Sequence, residues 1–302
     1  MQSTRREQNA ALLALLTHRP DGLTVREVMT EVLASEDAVG VWETLNPPGL
    51  FGDSAQLAAA RDEIDGWVRD GFAFTSILDP DYPARLRGVF DAPPFLFYRG
   101  DLSVAAGGVS VVGSRGASPQ ACDRAASIAQ LLVTRGLPVI SGLARGIDAA
   151  AHEATVASGG RPVGVIATGI AALYTPATSR ALHEQVAERG VLVSQFWPRA
   201  HAEKHTFLLR NATMSGLGIA TIVVEAGEHS GARAQARRAM EHGRPVLLTR
   251  SVIDTTRWGR ELADGTRPNV FTVNSLDDVT AALDQIEWTS SDALLNRILA
   301  TT

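Results

Sequence analysis

Ser141-Gly142-Leu143-Ala144-Arg145-Gly146-Ile147-Asp148-Ala149-Ala150-Ala151-His152 decides the fold. The apolar run Leu137 to Ile140 before it has the character of a buried parallel strand, and the glycines then turn the chain into a helix opening near Gly146. A strand that passes through a glycine turn into a helix start presents free backbone N–H groups and the positive end of a helix dipole. Both favour an anion. Gly142 and Gly146 permit close backbone approach, Arg145 adds a fork of donors, and the three alanines let the helix lie close on a sheet. Asp148 and His152 stand four apart and share one helix face.

Outward from this turn the pattern alternates. Strands are expected at 109–112, 137–140, 162–166, 191–194, 219–225, 245–249 and 270–273. Helices are expected between them near 119–135, 146–158, 178–189, 207–217 and 231–243, with a last one at 276–286. Apolar strands alternating with helices give an α/β domain, a mostly parallel sheet with helices on both faces. Helical spacing over 5–16, 24–34 and 54–70 predicts a small N-terminal helical module, of winged-helix or hairpin type. The expected division is 1–71 helical module, 72–106 extended connector rich in proline with a short edge strand at Phe95 to Tyr98, 107–287 sheet domain and 288–302 a short tail.

Charge is unevenly spread. Residues 1–106 carry 9 arginines against 16 acids, residues 107–270 carry 18 basic side chains against 12 acids, and residues 271–302 carry 1 against 5. Only the segment with the glycine turns is basic, so a polyanion is admissible there and DNA contact by the helical module is disfavoured. No apolar run reaches the length of a membrane span, and the first residues lack a signal-peptide pattern. The single cysteine, Cys122, excludes an internal disulfide and a cysteine-based zinc cluster. His201 and His205 have no third ligand at a metal spacing, so no metal and no cofactor are expected. A cytoplasmic location follows from the same features.

Three further strand-end segments carry chemistry. Gly113-Ser114-Arg115-Gly116 is neither a Walker loop nor a dinucleotide fingerprint, but it sets one arginine at the end of the first sheet-domain strand. Arg199 to Asn211 holds the only lysine, Lys204, with Phe207, Arg210 and Asn211, a composition suited to tracking a phosphate backbone beside one stacking ring. In Glu225 to Gly231, Ser230 and Gly231 open a helix and can donate to phosphate. Each segment alone is an ordinary surface turn. All follow parallel strands, so they are expected to meet on one rim, where open α/β sheets bind ligands.

On these residues the chain resembles the DprA/Smf family of DNA processing proteins over about residues 70–285. The resemblance rests on Ser141 to His152, Gly113-Ser114-Arg115, Leu78-Asp79-Pro80-Asp81-Tyr82-Pro83, Phe207…Arg210-Asn211…Ser215-Gly216-Leu217 and Val224-Glu225-Ala226…Ser230-Gly231. It implies a Rossmann-like domain that binds single-stranded DNA without catalysis, partnered by a RecA-type recombinase in transformation or recombination and acting as a homodimer. Carried over by position, Gly113, Ser114 and Arg115 would hold phosphate at the first turn. Ser141, Gly142, Ala144, Arg145 and Gly146 would line the second. Lys204 would meet backbone and Phe207 a base, and Arg210, Asn211, Ser230 and Gly231 would complete the site.

The chain departs from the family pattern at Ser194-Gln195, Ala212, Tyr174-Thr175-Pro176 with Ser179, and Leu248-Thr249-Arg250. It shows no counterpart of the family's C-terminal winged helix after 290. Two alternatives stay open. One is a nucleotide-cleaving enzyme like the LOG phosphoribohydrolases, whose Pro-Gly-Gly motif is missing here and for which Glu225 and Asp148 are the available acid/base pair. The other is a nucleotide-sensing module in defence against foreign DNA. A Ser141–Asp148–His152 hydrolase has little support, because no G-x-S-x-G elbow surrounds the serine.

Overall fold

The computed structural model describes residues 4–19, 22–46, 55–172 and 177–289. The tail expected over 288–302 falls outside them beyond residue 289, as does Tyr174-Thr175-Pro176. The chain forms two units, one of Met1–Tyr82 with Pro93–Phe97 and the other of Pro83–Ala92 with Tyr98–Thr302.

The first unit holds α1 (Arg5–His18), α2 (Val25–Ser35), α3 (Ala38–Leu45), α4 (Ala55–Arg69) and β1 (Ala73–Ser76). Helices α1 and α2 start by the same device. Thr4 and Thr24 accept the amide of the glutamate three residues on, and Glu7 and Glu27 reach back to the capping residue's N–H. Thr24→Ala is expected to cost about 1 kcal/mol, read as a lowered urea midpoint at unchanged slope. Helix α3 has weak intrinsic propensity, with Val39, Gly40 and Val41 in its first turn, and forms by burying Ala38 and Trp42, one turn apart. Trp67 of α4 meets Phe74, Phe95 and Phe97 edge-on, with ring centroids 5.4, 5.9 and 4.9 Å away. Asp79 accepts the Ser76 amide at 2.7 Å and pairs with Arg5 Nε at 2.6 Å, which ties the Leu78 to Pro83 motif to α1.

In the second unit α5 (Ala84–Arg87), a single turn, starts directly after Pro83. Strand β2 (Phe95–Gly100) enters this unit at Tyr98 and is followed by a 3-10 turn at Leu102–Ala105. The stretch 72–106 thus carries β1, α5 and β2 and is divided between the units. The sheet domain then runs β3 (Val109–Val112), α6 (Pro119–Thr134), β4 (Val139–Ser141), α7 (Ile147–Ala157), β5 (Pro162–Val165), α8 (Ala177–Arg189) and β6 (Val191–Ser194). It continues with α9 (Lys204–Leu217), β7 (Ala220–Val223), α10 (Gly231–Glu241), β8 (Val246–Thr249), α11 (Arg250–Thr255), α12 (Arg257–Leu262), β9 (Val270–Val273) and α13 (Leu276–Thr289).

Within this unit the strand order is β6-β5-β4-β3-β7-β8-β9 and every pair is parallel. Strands β3 to β8 are buried along their whole length, so helices must cover both faces. Side chains of α6, α7 and α13 pack with Val109, Val111 and Ile222 in one core. From β3 the chain steps outward through β4 and β5 to β6, then returns to place β7 on the other side of β3. Right-handed crossovers put the outward helices on one face and α9 and α10 on the other. The reversal beside β3 is the point where such a sheet opens a crevice.

Two differences from the sequence expectation matter. Helix α9 begins at Lys204 rather than at 207, because Thr206 Oγ1 accepts the Glu203 N–H at 3.1 Å and starts the helix earlier. Lys204 therefore stands on the helix and not on the preceding loop. Residues 250–262 form α11 and α12 where no helix was expected. Each is anchored by one buried side chain, Val252 in α11 and Trp258 in α12, with the Thr256 cap on Gly259 at 3.0 Å and the exposed pairs Arg250–Asp254 at 2.9 Å and Arg257–Glu261 at 2.6 Å adding a little.

Candidate nucleic-acid interface

Three turns lock together at the carboxyl ends of β3, β4 and β7. The Ser114 N–H donates to the Glu225 carbonyl at 2.7 Å, and the Ser114 carbonyl accepts the Ile147 N–H at 3.3 Å. Gly146, with φ of +79°, permits this, since a Cβ there would strike the Ser114 carbonyl. At Gly142 a Cβ would fall inside the Arg210 guanidinium, so the glycine lets that side chain cross the backbone. Arg210 is 8% exposed and donates from Nη1 to the Val165 carbonyl at 2.8 Å. Asp148, at 5%, accepts the Gly142 N–H at 3.1 Å.

Above this floor lies a cleft of about 540 Å³. Its walls are Val112 to Gly116 from β3 and its turn, Ala144 and Asp148 from the β4 turn and α7, one face of α9, and Ser230, Gly231, Ala232 and Gln235 from the start of α10. The α9 face is Lys204, Phe207, Leu208, Arg210, Asn211 and Met214, spaced at helical intervals. The Arg115 guanidinium lies over the Phe207 ring, 5.0 Å from its centroid. Among the described residues neither Arg115 nor Lys204 pairs with a carboxylate. Ser230 caps α10 by accepting the Arg233 N–H at 3.3 Å, and the first turn of that helix faces the cleft.

Of the residues singled out in the sequence, Gly113, Ser114, Arg115, Ala144, Lys204, Phe207, Arg210, Asn211, Ser230 and Gly231 line this one cleft. Ser141, Gly142, Arg145 and Gly146 do not. Ser141 is fully buried on β4 and its hydroxyl donates to the Val111 carbonyl at 2.7 Å, so it braces the sheet. Gly142 and Gly146 admit neighbouring groups of the protein, and Arg145 is exposed outside the cleft. Ser114 keeps its place on the wall, but its backbone N–H and carbonyl serve the adjacent turns.

The hydrolase arrangement is not formed. His152 is fully buried, and its ring has no hydrogen bond to the Ser141 hydroxyl. Burial holds it to a pKa of about 4. A different serine–histidine–acid relay does exist. His242 Nδ1 lies 2.6 Å from Ser215 Oγ and its Nε2 lies 2.7 Å from Asp91. Ser215 is 1% exposed inside α9, so no substrate reaches it, and the relay fastens the Asp91 segment to α9 and α10. Glu225 accepts the Ser118 N–H at 3.2 Å and the Ser118 hydroxyl at 2.8 Å and does not line the cleft. Burial raises the Asp148 carboxyl above its ordinary range, while the Arg210 charge and the Gly142 and Ala144 amides pull it back. Among the described residues no group of three His, Cys, Asp or Glu could hold a metal ion, and no helix is long and apolar enough to cross a membrane.

Gln235, Leu208, Met214 and Ala232 line the cleft without having been singled out. The helical spacing from Lys204 to Met214 is the signal that would have found Leu208 and Met214, once α9 starts at 204. Gln235 stands four residues after Gly231 and shares its helix face.

A family model described as DNA recombination-mediator protein A matches residues 73–267. The DNA processing protein DprA of Streptococcus pneumoniae is 38% identical over 227 residues, covering 70% of this chain and 80% of the relative. That of Bacillus subtilis is 30% identical over 208 residues, 65% of this chain and 70% of the relative. Among solved structures, an X-ray structure of DNA processing protein A from S. pneumoniae superposes with a TM-score of 0.72 at 29% identity, over 93% of this chain and 98% of the other. One from Helicobacter pylori, described for its single-stranded DNA binding mode, gives 0.62 at 19% identity over 71% and 97%.

Proposed function

The chain belongs to the DNA recombination-mediator protein A family, and on that premise we propose that its cleft binds single-stranded DNA by the phosphate backbone without cleaving it. The observation that carries this reading is the meeting of Arg115, Lys204 and the first turn of α10 in one crevice at the sheet's reversal point, with no carboxylate among the described residues pairing either cation. Phe207, Leu208 and Met214 give the same crevice an apolar side that suits an unstacked base. A duplex keeps its bases stacked, so single strands are expected to bind more tightly.

A non-catalytic role is supported by the two acids weighed for acid/base work. Glu225 is bound to Ser118, and Asp148 is 5% exposed with its carboxyl engaged by the Gly142 N–H and the Arg210 charge. Release of free base from nucleoside monophosphates would overturn it. We extend the reading to DNA processing in recombination or transformation, with a homodimer passing the strand to a RecA-type recombinase in the cytoplasm. The family's description as a recombination mediator supports that extension.

The test is a salt titration of oligonucleotide affinity, single- against double-stranded, with oligomeric state recorded alongside. Arg115→Ala and Lys204→Ala are each expected to weaken binding to all sequences about equally. Each should also flatten the dependence of log affinity on log salt by about 0.7. Unchanged affinity and slope in both variants would remove the cleft from the interface. Tight binding of mononucleotides with weak binding of strands would favour a nucleotide sensor instead.

A further inference from the structure

Gln235 is an anomaly of the cleft. Its side chain is 1% exposed and lines the cavity, yet among the described residues neither its amide oxygen nor its amide nitrogen has a hydrogen-bond partner. Buried polar groups are almost always satisfied, and one left without a partner costs stability. A buried amide left unpaired on the wall of an otherwise suitable cleft points to a ligand that supplies what the protein does not.

The chemistry of that ligand follows from the pair of atoms. The amide offers a donor and an acceptor side by side. A phosphodiester carries acceptors only, and so does an internal deoxyribose, so either would leave the Gln235 carbonyl unmet. A nucleobase edge presents an acceptor beside a donor, and a glutamine amide can bond both at once. Helical side chains lean towards the N-terminus, which directs Gln235 back over Ala232 and Gly231. The amide is therefore set near the dipole end that attracts phosphate, on the same wall of the cleft. Met214 and Phe207 provide apolar surface on the opposing helix.

We propose that Gln235 is the base-reading residue of the cleft, holding one unstacked nucleobase by a two-point hydrogen bond while the flanking phosphates meet Arg115, Lys204 and the start of α10. The assignment deepens the single-strand reading and rests on it. It adds that binding depends on bases as well as on charge. The same nucleobase chemistry is offered by a free nucleotide, and the experiment separates the two sources.

The affinities of wild type and Gln235→Met are measured for a short single strand, for a strand of equal length made of abasic residues, and for nucleoside monophosphates. Methionine keeps the length and bulk of the side chain and removes both hydrogen-bonding atoms. Gln235→Met is expected to bind the base-carrying strand about ten-fold more weakly and the abasic strand as wild type does. Removing an unsatisfied amide should also raise Tm by about 2–4 °C. Gln235→Asn retains the amide one methylene short and should show the same selective loss. Equal losses on both strands with a lowered Tm would assign the amide to packing and overturn the proposal, as would unchanged affinity for the base-carrying strand. If wild type binds monophosphates but not strands, and Gln235→Met loses the former, base reading stands and the single-strand reading falls. Binding of neither by wild type overturns both.

Discussion

Between pH 6.5 and 4 the protein is expected to lose on the order of 3 kcal/mol of folding stability for each of two buried histidines, His152 and His183. Burial disfavours the imidazolium of both and holds each to a pKa of about 4. The charge of His183 and that of Arg210 push His152 further down. At His183 the Glu184 carboxylate opposes the shift and Arg99 adds to it. The unfolded chain takes up these protons near pH 6.5. Within the window the unfolded state thus binds more protons than the native one, so stability rises with pH and is lost as pH falls. Asp148 works the other way. Its raised carboxyl makes the native state the better proton binder just above pH 3.8, which offsets part of the loss. Two histidines together approach the whole stability of an ordinary domain, about 5–15 kcal/mol. Urea midpoints at pH 7 and 4.5 measure the effect. His152→Leu should hold pH 7 stability within about 1.5 kcal/mol and remove roughly half of the acid loss. An acid loss undiminished when both histidines are replaced by leucine would show that other groups drive it.

Gly142→Ala is expected to cost about 3 kcal/mol or more and to spoil the cleft with it. The added methyl group would occupy the position of the Arg210 guanidinium, which is itself fixed by the Val165 carbonyl and lies beside Asp148. Either the backbone at 142 moves, and the Asp148 bond to the Gly142 amide stretches, or the guanidinium leaves its buried place. Overpacking alone costs about 1–3 kcal/mol, and separating a buried charge from its partners adds more. Oligonucleotide affinity should fall as well, measured where the variant is still folded, because Arg210 and Asp148 both line the cleft. A denaturation midpoint equal to wild type would mean that Arg210 has another low-energy position.

Much of the sheet was legible in the amino-acid order. Strands β3, β6 and β9 fall on the expected residues, since each is a short apolar run with turn residues close by. Helix α3 and the pair α11 and α12 were not, because each is too short to show an apolar period and is anchored by a buried side chain, Trp42, Val252 or Trp258. At the cleft, Arg115, Lys204 and Phe207 stood out as unusual residues at strand ends. Gln235 did not. Between alanines and arginines it has the profile of a solvated helix surface, and only the packing of α10 reveals that it faces inward. Gly142 and Gly146 were singled out for a ligand and serve the protein's own turns. A glycine at a strand end has the same appearance whether a phosphate or another loop approaches it.

The contact between Arg115 and Phe207 has a bearing on how fast a strand could be captured. The guanidinium restrains the Phe207 ring, so the ring has less rotamer freedom left to lose when a base docks on it. Such a contact is weak, about 0.5–1 kcal/mol at an exposed site, so the guanidinium can swing aside on the timescale of ordinary side-chain motion. The ring is kept ready, and its cover comes off easily.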